Sequence, residues 1–199
     1  MSRPRDFDEA TVLDAATDQF WNHGYAATSV RDLGEVMGLG PASLYNAFGD
    51  KNSLFSQCLD RYLDKNMRGR IERLEQSHNP RDAVRAFLDE TVTESLADPR
   101  GCMLVNAALE VAPHDAQVNS IVAARLEELE SFFRSRIVAG QSDGTISRER
   151  APEDLARLLL TTVLGLRILA RTRPEPGLLR GAADQALSLL DTVRGTRSP

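Results

Sequence analysis

What this 199-residue chain lacks removes most of the classes it could belong to. Its two cysteines, Cys58 and Cys102, are too few to staple a secreted fold and suit a reducing cytosol. No signal peptide is expected, because the stretch from Met1 to Asp6 has no apolar core. The longest strongly apolar run, Leu158 to Leu166, is stopped by Arg167 after nine residues, where a bilayer span needs about 20. His23, His78 and His114 are scattered beside expected helix ends, without partners at metal-ligand spacing. No serine, histidine and acid set presents a nucleophile motif. Gly38-Leu39-Gly40 has neither the preceding strand nor the third glycine of a dinucleotide loop. A soluble, cytoplasmic protein with no metal, no cofactor and no enzymatic activity is expected.

Basic charge is also short. The formal net charge is −5, and within residues 1–55 only Arg3, Arg5, Arg31 and Lys51 oppose eight acidic groups, a net of −4. Nucleic-acid binders usually carry a basic face, so binding to DNA would need other means. Strand signals are missing too: Val, Ile and aromatic residues never alternate with polar ones over a useful length, and no repeat or low-complexity tract occurs.

What is present is an ordinary globular composition, 42% hydrophobic and 27% charged, with helical spacing broken by clear punctuation. Asp6 or Asp8 can cap a first helix that turns Leu13, Ala16 and Phe20 inward and stops at Gly24. Thr28 or Ser29 caps a short second helix with Val30, Leu33 and Met37 inside. After the turn at Gly38-Leu39-Gly40, Pro41 suits the first position of a third helix, which buries Leu44 and Phe48 and ends at Gly49-Asp50. A fourth helix runs from near Lys51 to about Gln76 without a breaker. Asn79-Pro80 opens a fifth, Met103 to Val111 forms a sixth and Asp115 to Val138 a seventh. Pro152 opens an eighth, reaching about Arg171, and Pro174-Glu175-Pro176 precedes a ninth that ends near Val193, before a frayed tail. Nine helices and no sheet predict an all-α protein.

Helices two and three, joined by a glycine-containing turn, have the form of a helix-turn-helix whose second helix enters a major groove. Its outward residues, Pro41, Ala42, Ser43, Tyr45, Asn46 and Ala47, are small or neutral hydrogen-bonders. Ser43 and Asn46 can bond base edges, Ala42 can touch a thymine methyl, and Tyr45 can offer its hydroxyl to a phosphate.

These residues resemble the TetR (TetR/AcrR) family of regulators. The signature reads here as Phe20, Gly24-Tyr25, Thr28-Ser29-Val30, Leu33, Gly38-Leu39, Ser43-Leu44-Tyr45, Phe48, Lys51 and Leu54, without a gap. The resemblance implies that Thr28 or Ser29, Tyr45 and Lys51 contact phosphates, while Arg31, Pro41, Ala42, Ser43 and Asn46 face bases. It implies a DNA-binding domain over residues 1–52 and an effector-binding and dimerisation domain over 53–199. It also implies that helix N-termini and hydroxyls hold phosphates in place of formal charge. Two positions depart from the pattern: Gly40 stands where the family often has a serine cap, and Gly34 replaces an alanine at a cost of about 1 kcal/mol.

By the same resemblance the chain is a ligand-responsive regulator, a repressor that binds a palindromic double-stranded operator as a homodimer through helices eight and nine. Their stripes are Leu155, Leu158, Leu159, Thr162 and Leu166, and Leu178, Ala182, Ala186, Leu189 and Val193. Helix four is the lever, and a small apolar or aromatic effector enters among helices four to eight. Candidate wall residues are Leu63, Met67, Phe87, Cys102, Met103, Phe132, Phe133 and Leu164, positions that serve equally well as core. Cys102 lies in a stretch similar to one branch of the family in which some members respond to electrophiles or oxidants; a small space-filling residue is the other reading. The rival from a different class is a helical small-molecule-binding or interaction protein without DNA binding.

Overall fold

The structure, a computed structural model, describes residues 7–192. The expected Asp6 cap and the tail lie outside the described residues, and the last helix, expected to end near Val193, ends at Ser188. Within them run nine helices and no strand: α1 (Glu9–His23), α2 (Val30–Met37), α3 (Pro41–Phe48), α4 (residues 51–77), α5 (Pro80–Ala97), α6 (Met103–Glu110), α7 (Ala116–Asp143), α8 (Pro152–Thr172) and α9 (Pro176–Ser188). The all-α class expected from the helical spacing is the class found.

The helices begin where side chains can satisfy their first N–H groups. Asp8 accepts from Ala10 and Thr11, Ser29 from Asp32, Asp50 from Ser53, Asn79 from Asp82 and Asp115 from Val118. Proline opens α3, α5, α8 and α9, where a missing N–H costs nothing. Gly38 ends α2 in the left-handed region at φ 66°. α9 ends at Ser188 because the chain turns there, and the Leu190 carbonyl accepts from the Ser147 N–H at 2.9 Å.

α4 is continuous but not regular. Lys51–Leu63 and Gly69–Ser77 are α-helical, and Asp64–Arg68 between them is a π-turn. Its i→i+5 bonds fit an extra residue into the turn. Arg125 of α7, its side chain only 7% exposed, answers the bulge by donating to Asp60 at 3.0 Å, Asp64 at 2.8 Å and Glu128 at 3.1 Å.

Two apolar cores result. The first gathers α1, α2, α3, the first half of α4, α6 and the opening turns of α7, with Phe20, Leu33, Leu44, Phe48, Leu54, Phe55 and Leu59 at its centre. The second lies among the rest of α4, α5, α7, α8 and α9 around Phe87, Phe132 and Phe133, whose rings lie 5.3–5.4 Å apart.

Candidate functional site

α3 rests on Leu44 and Phe48, both buried, and these two positions aim its other residues outward. Pro41, Ala42, Ser43, Tyr45 and Asn46 are all exposed, Tyr45 by 50%. α2 packs beneath through Leu33 and Met37. The departure at Gly34 has a physical cause: a Cβ there would stand 2.8 Å from the Leu39 carbonyl oxygen, and the Leu39 N–H donates to the Gly34 carbonyl at 2.9 Å. The turn between α2 and α3 therefore presses on α2 so closely that only glycine fits. The departure at Gly40 leaves α3 without a side-chain cap.

The other positions sort differently. Thr28 is wholly buried, and its hydroxyl donates to the Gly24 carbonyl at 2.7 Å, so it is neither the cap of α2 nor free to meet a phosphate. Ser29 is the cap and is exposed, in a reciprocal box with Asp32. Arg31 is exposed and paired with Glu35 at 3.0 Å. Lys51 is half-buried with its Nζ 4.2 Å from the Tyr25 ring centre. Burial lowers its pKa against the opposing pull of Glu110. Hydrogen bonds to Ser29 and Asp32, and to Asp50 and Ser53, already occupy the starts of α2 and α4, which leaves α3 as the helix of the three without a side-chain acceptor at its N-terminus. Asp14 and Asp18 of α1 are held by Arg61, through two bonds of 2.8 and 3.1 Å, and by Arg100 at 3.4 Å.

A cavity of about 320 Å³ lies under this unit, among α4, α5, α6, α7 and α8. Leu63, Met67, Phe87, Cys102 and Leu164 line it. Met103, Phe132 and Phe133 do not: Met103 turns into the first core, and the two phenylalanines sit a turn beyond Leu129, packed behind Phe87. Sequence reasoning missed Trp21, Tyr62, Arg70, Glu94 and Arg167, which also face the cavity. Arg167 carried a signal, as the charge that interrupts the apolar run from Leu158. Arg70 and Arg167 share Glu94; Arg167 donates to it at 2.8 Å and to Ser95 at 3.2 Å. Burial would raise the Glu94 pKa, but hydrogen bonds from Arg167 and Arg70 overcome that and hold it low. Burial pushes the Tyr62 phenol well above its ordinary 10.

The cavity and the helix-turn-helix unit are mechanically joined. Trp21 of α1 forms part of the wall; its ring N–H donates to the Gly101 carbonyl at 3.0 Å and the Arg100 guanidinium stacks 3.7 Å above it. At the far end of α6 the Glu110 carboxylate accepts from the backbone N–H groups of Tyr25 at 3.2 Å and Ala26 at 2.8 Å. Asn52 at the start of α4 donates to Asp115, the cap of α7, at 2.5 Å.

Elsewhere, Cys58 is buried and its thiol is pushed up to about 12 by that burial, while Cys102 is free and half-buried in the cavity wall. Of the α8 and α9 stripes, Leu155, Leu159, Leu166 and Ala186 are spent on the second core, which also takes in Ala183. Leu158 and Ile168 on α8 stay 38% and 46% exposed, and Gly181 and Ala182 on α9 are exposed as well. Among the described residues no helix is long and apolar enough to cross a membrane, and no cluster of three or more His, Cys, Asp or Glu is placed to hold a metal.

Comparison with known proteins agrees with this geometry. Residues 12–58 match the model of the bacterial regulatory proteins of the tetR family, and residues 80–186 match the tetracyclin repressor-like C-terminal domain. YezE of Bacillus subtilis, an uncharacterised HTH-type transcriptional regulator, is 31% identical over 96% of this chain and 100% of its own. ComR of Escherichia coli, an HTH-type transcriptional repressor, is 30% identical over 85% of this chain and 82% of its own. Among solved structures, a cysteine-substituted form of the TetR family regulator CifR, complexed with 26-bp double-strand operator DNA, superposes with a TM-score of 0.83 at 36% identity, covering 95% of this chain and 100% of that one.

Proposed function

The chain belongs to the TetR family of transcriptional regulators, and on that premise we propose that it is a repressor that grips double-stranded operator DNA with α3 and lets go when a small molecule fills the cavity. The observation that carries this is the construction of α3: Leu44 and Phe48 anchor it while Ser43, Tyr45 and Asn46 stand in solvent. Ser43 and Asn46 read base edges, Ala42 and Pro41 give apolar contact, and Arg31 turns from Glu35 to the groove. Ser29, Tyr45 and Lys51 position the backbone, and a phosphate sits at the uncapped start of α3. Residues 1–52 act as the DNA-binding domain and residues 53–199 as the effector-binding and dimerisation domain.

Two copies pair through the exposed face of α8 and α9, where Gly181 and Ala182 admit a close helix. A two-fold pair sets its reading helices about 34–36 Å apart, in successive major grooves, so the operator is a palindrome. An effector with an apolar or aromatic body fits a cavity walled by Met67, Phe87, Leu129 and Leu164.

Fluorescence anisotropy with duplexes drawn from the DNA flanking the gene tests the reading. A duplex that binds, is competed by itself and not by random sequence, and is released by members of a panel of aromatic compounds is the expected result. Failure to prefer any flanking duplex over random DNA refutes it.

A further inference from the structure

We propose that the cavity selects a monoanionic effector, an apolar or aromatic body ending in a carboxylate, whose head docks on Arg167 and Tyr62. This rests on the effector reading of the cavity given above and adds the chemistry of the molecule that fills it. The cavity is divided. Met67, Phe87, Leu129, Val163 and Leu164 make most of its surface apolar, whereas Tyr62, Cys102 and Arg167 form a polar group near enough to act on one another electrostatically.

Around that group the ion pairs leave positive charge in excess. A guanidinium has five N–H bonds, and Arg167, only 14% exposed, uses them on two partners, Glu94 and Ser95. The carboxylate of Glu94 is already shared with Arg70, which also reaches Glu90 at 3.3 Å, and Glu90 is shared in turn with Arg73 at 2.7 Å. Three cations in this network thus face two anions. Asp98, the other carboxylate on the wall, has both oxygens bound by Arg100 at 2.7–3.0 Å. Tyr62 lines the cavity, and burial raises its pKa, so the phenol keeps its proton and can donate to a bound group. A buried guanidinium with spare N–H groups beside a neutral phenol, in a network with more cations than anions, matches a carboxylate rather than an amine or a neutral hydrocarbon. An amine head would face Arg167 and lose binding instead.

Trp21 is the only tryptophan in the chain and stands in the wall, so its fluorescence reports filling of the cavity in the full-length protein. Titration with 4-phenylbutyrate and with its neutral counterpart 4-phenylbutanamide, two probes of one shape, isolates the charge. The acid should bind about tenfold tighter than the amide or better, the scale of one charge-assisted hydrogen bond. Arg167→Gln should erase that preference. Glu94→Gln, which frees both arginines from their shared carboxylate, should widen it, and this opposite sign keeps the test decisive if Arg167→Gln does not fold. Equal binding of the two probes, tighter binding of the amide, no binding of the acid at millimolar concentration, or a Glu94→Gln variant with a narrowed preference would each overturn the proposal. Operator retention measured on the same samples separates the two readings. Acid preference in the Trp21 signal without DNA release sinks the regulatory reading alone, and release by the amide as readily as by the acid sinks the anion alone.

Discussion

Salt is the perturbation that tests how so acidic a headpiece can hold DNA. Each phosphate neutralised by a cation releases condensed counterions, and the log–log slope of affinity against salt is about −0.9 per cation. On the surface around α3 the described residues supply two cations per subunit, Arg31 and Lys51. A dimer then engages four, for a slope of about −4, and affinity falls only about tenfold when salt doubles. On the proposed interface the uncapped start of α3 and the hydroxyls of Ser29 and Tyr45 would add phosphate bonds that release few ions, because they bring no formal charge. Lys51→Met should flatten the slope to about −2, since it removes one cation from each subunit. Anisotropy with a flanking duplex over a range of potassium chloride concentrations measures both values. A wild-type slope of about −8 would need four cations per subunit, and residues 1–55 contain four only if Arg3 and Arg5 are counted. That outcome, or a Lys51→Met slope equal to wild type, refutes an interface built on helix ends and hydroxyls.

Asn46→Ala should weaken specific duplex binding by about 1–3 kcal/mol per subunit and leave stability within about 0.5 kcal/mol, while Leu44→Ala, at a position with no exposure, should cost about 2–5 kcal/mol of stability; thermal melts beside anisotropy separate the two. Glu110→Ala should destabilise the protein by about 1 kcal/mol and speed hydrogen exchange at the Tyr25 and Ala26 amides, with Glu110→Gln milder because it keeps an acceptor; unchanged exchange would mean that the loop is held by other contacts. Asp8, Asp32 and Asp50 have pKa values lowered by hydrogen bonds to Thr11, Ser29 and Ser53, so the native state binds fewer protons than the unfolded chain near their ordinary 3.8. Their contribution is complete above that value and disappears as pH falls through the lower native values; Asp32→Asn should flatten the acid limb of a melting-temperature profile.

How much could be read from the chain follows the range of the forces involved. Caps, proline starts and the alternation of Leu33, Met37, Leu44 and Phe48 with polar neighbours act within a few residues, so the nine helices and the outward face of α3 were legible. The irregularity in α4 was not. No glycine or proline sits within Asp64–Arg68, and the side chain that pairs with Asp60 and Asp64, Arg125, lies some 60 residues further along the chain. The cavity was half legible for the same reason. Apolar positions such as Met67 and Phe132 carry no mark that separates lining from core, because both are buried and both recur at helical spacing. Arg167 did carry one, since a charge in the middle of an apolar helix must be paired or face a space. Between Thr28 and Ser29 the sequence left the cap open, because a threonine at a helix start caps with its own hydroxyl or passes the task to the next residue, and only the Gly24 carbonyl decides which.

The proposed division into a reading head and a sensing body is less sharp in its packing than in its sequence, and that bears on how a bound molecule could act. Leu63, Leu104 and Met103 belong to the same core as Leu33 and Leu44, and Leu63, Leu104 and Trp21 also face the cavity. α6 therefore has one side on the cavity and its end, through Glu110, on the loop that leads into α2. A densely packed interior responds to an intruding group by switching between arrangements rather than by compressing. The energy needed is modest. Hundredfold release requires an effector to prefer the released arrangement by about 2.8 kcal/mol, the equivalent of about 110 Å² of apolar surface covered in one arrangement and not in the other. One aromatic side chain buries about 150–250 Å². A change in how much of the Trp21 indole the bound molecule covers would be enough, without any rearrangement of the second core.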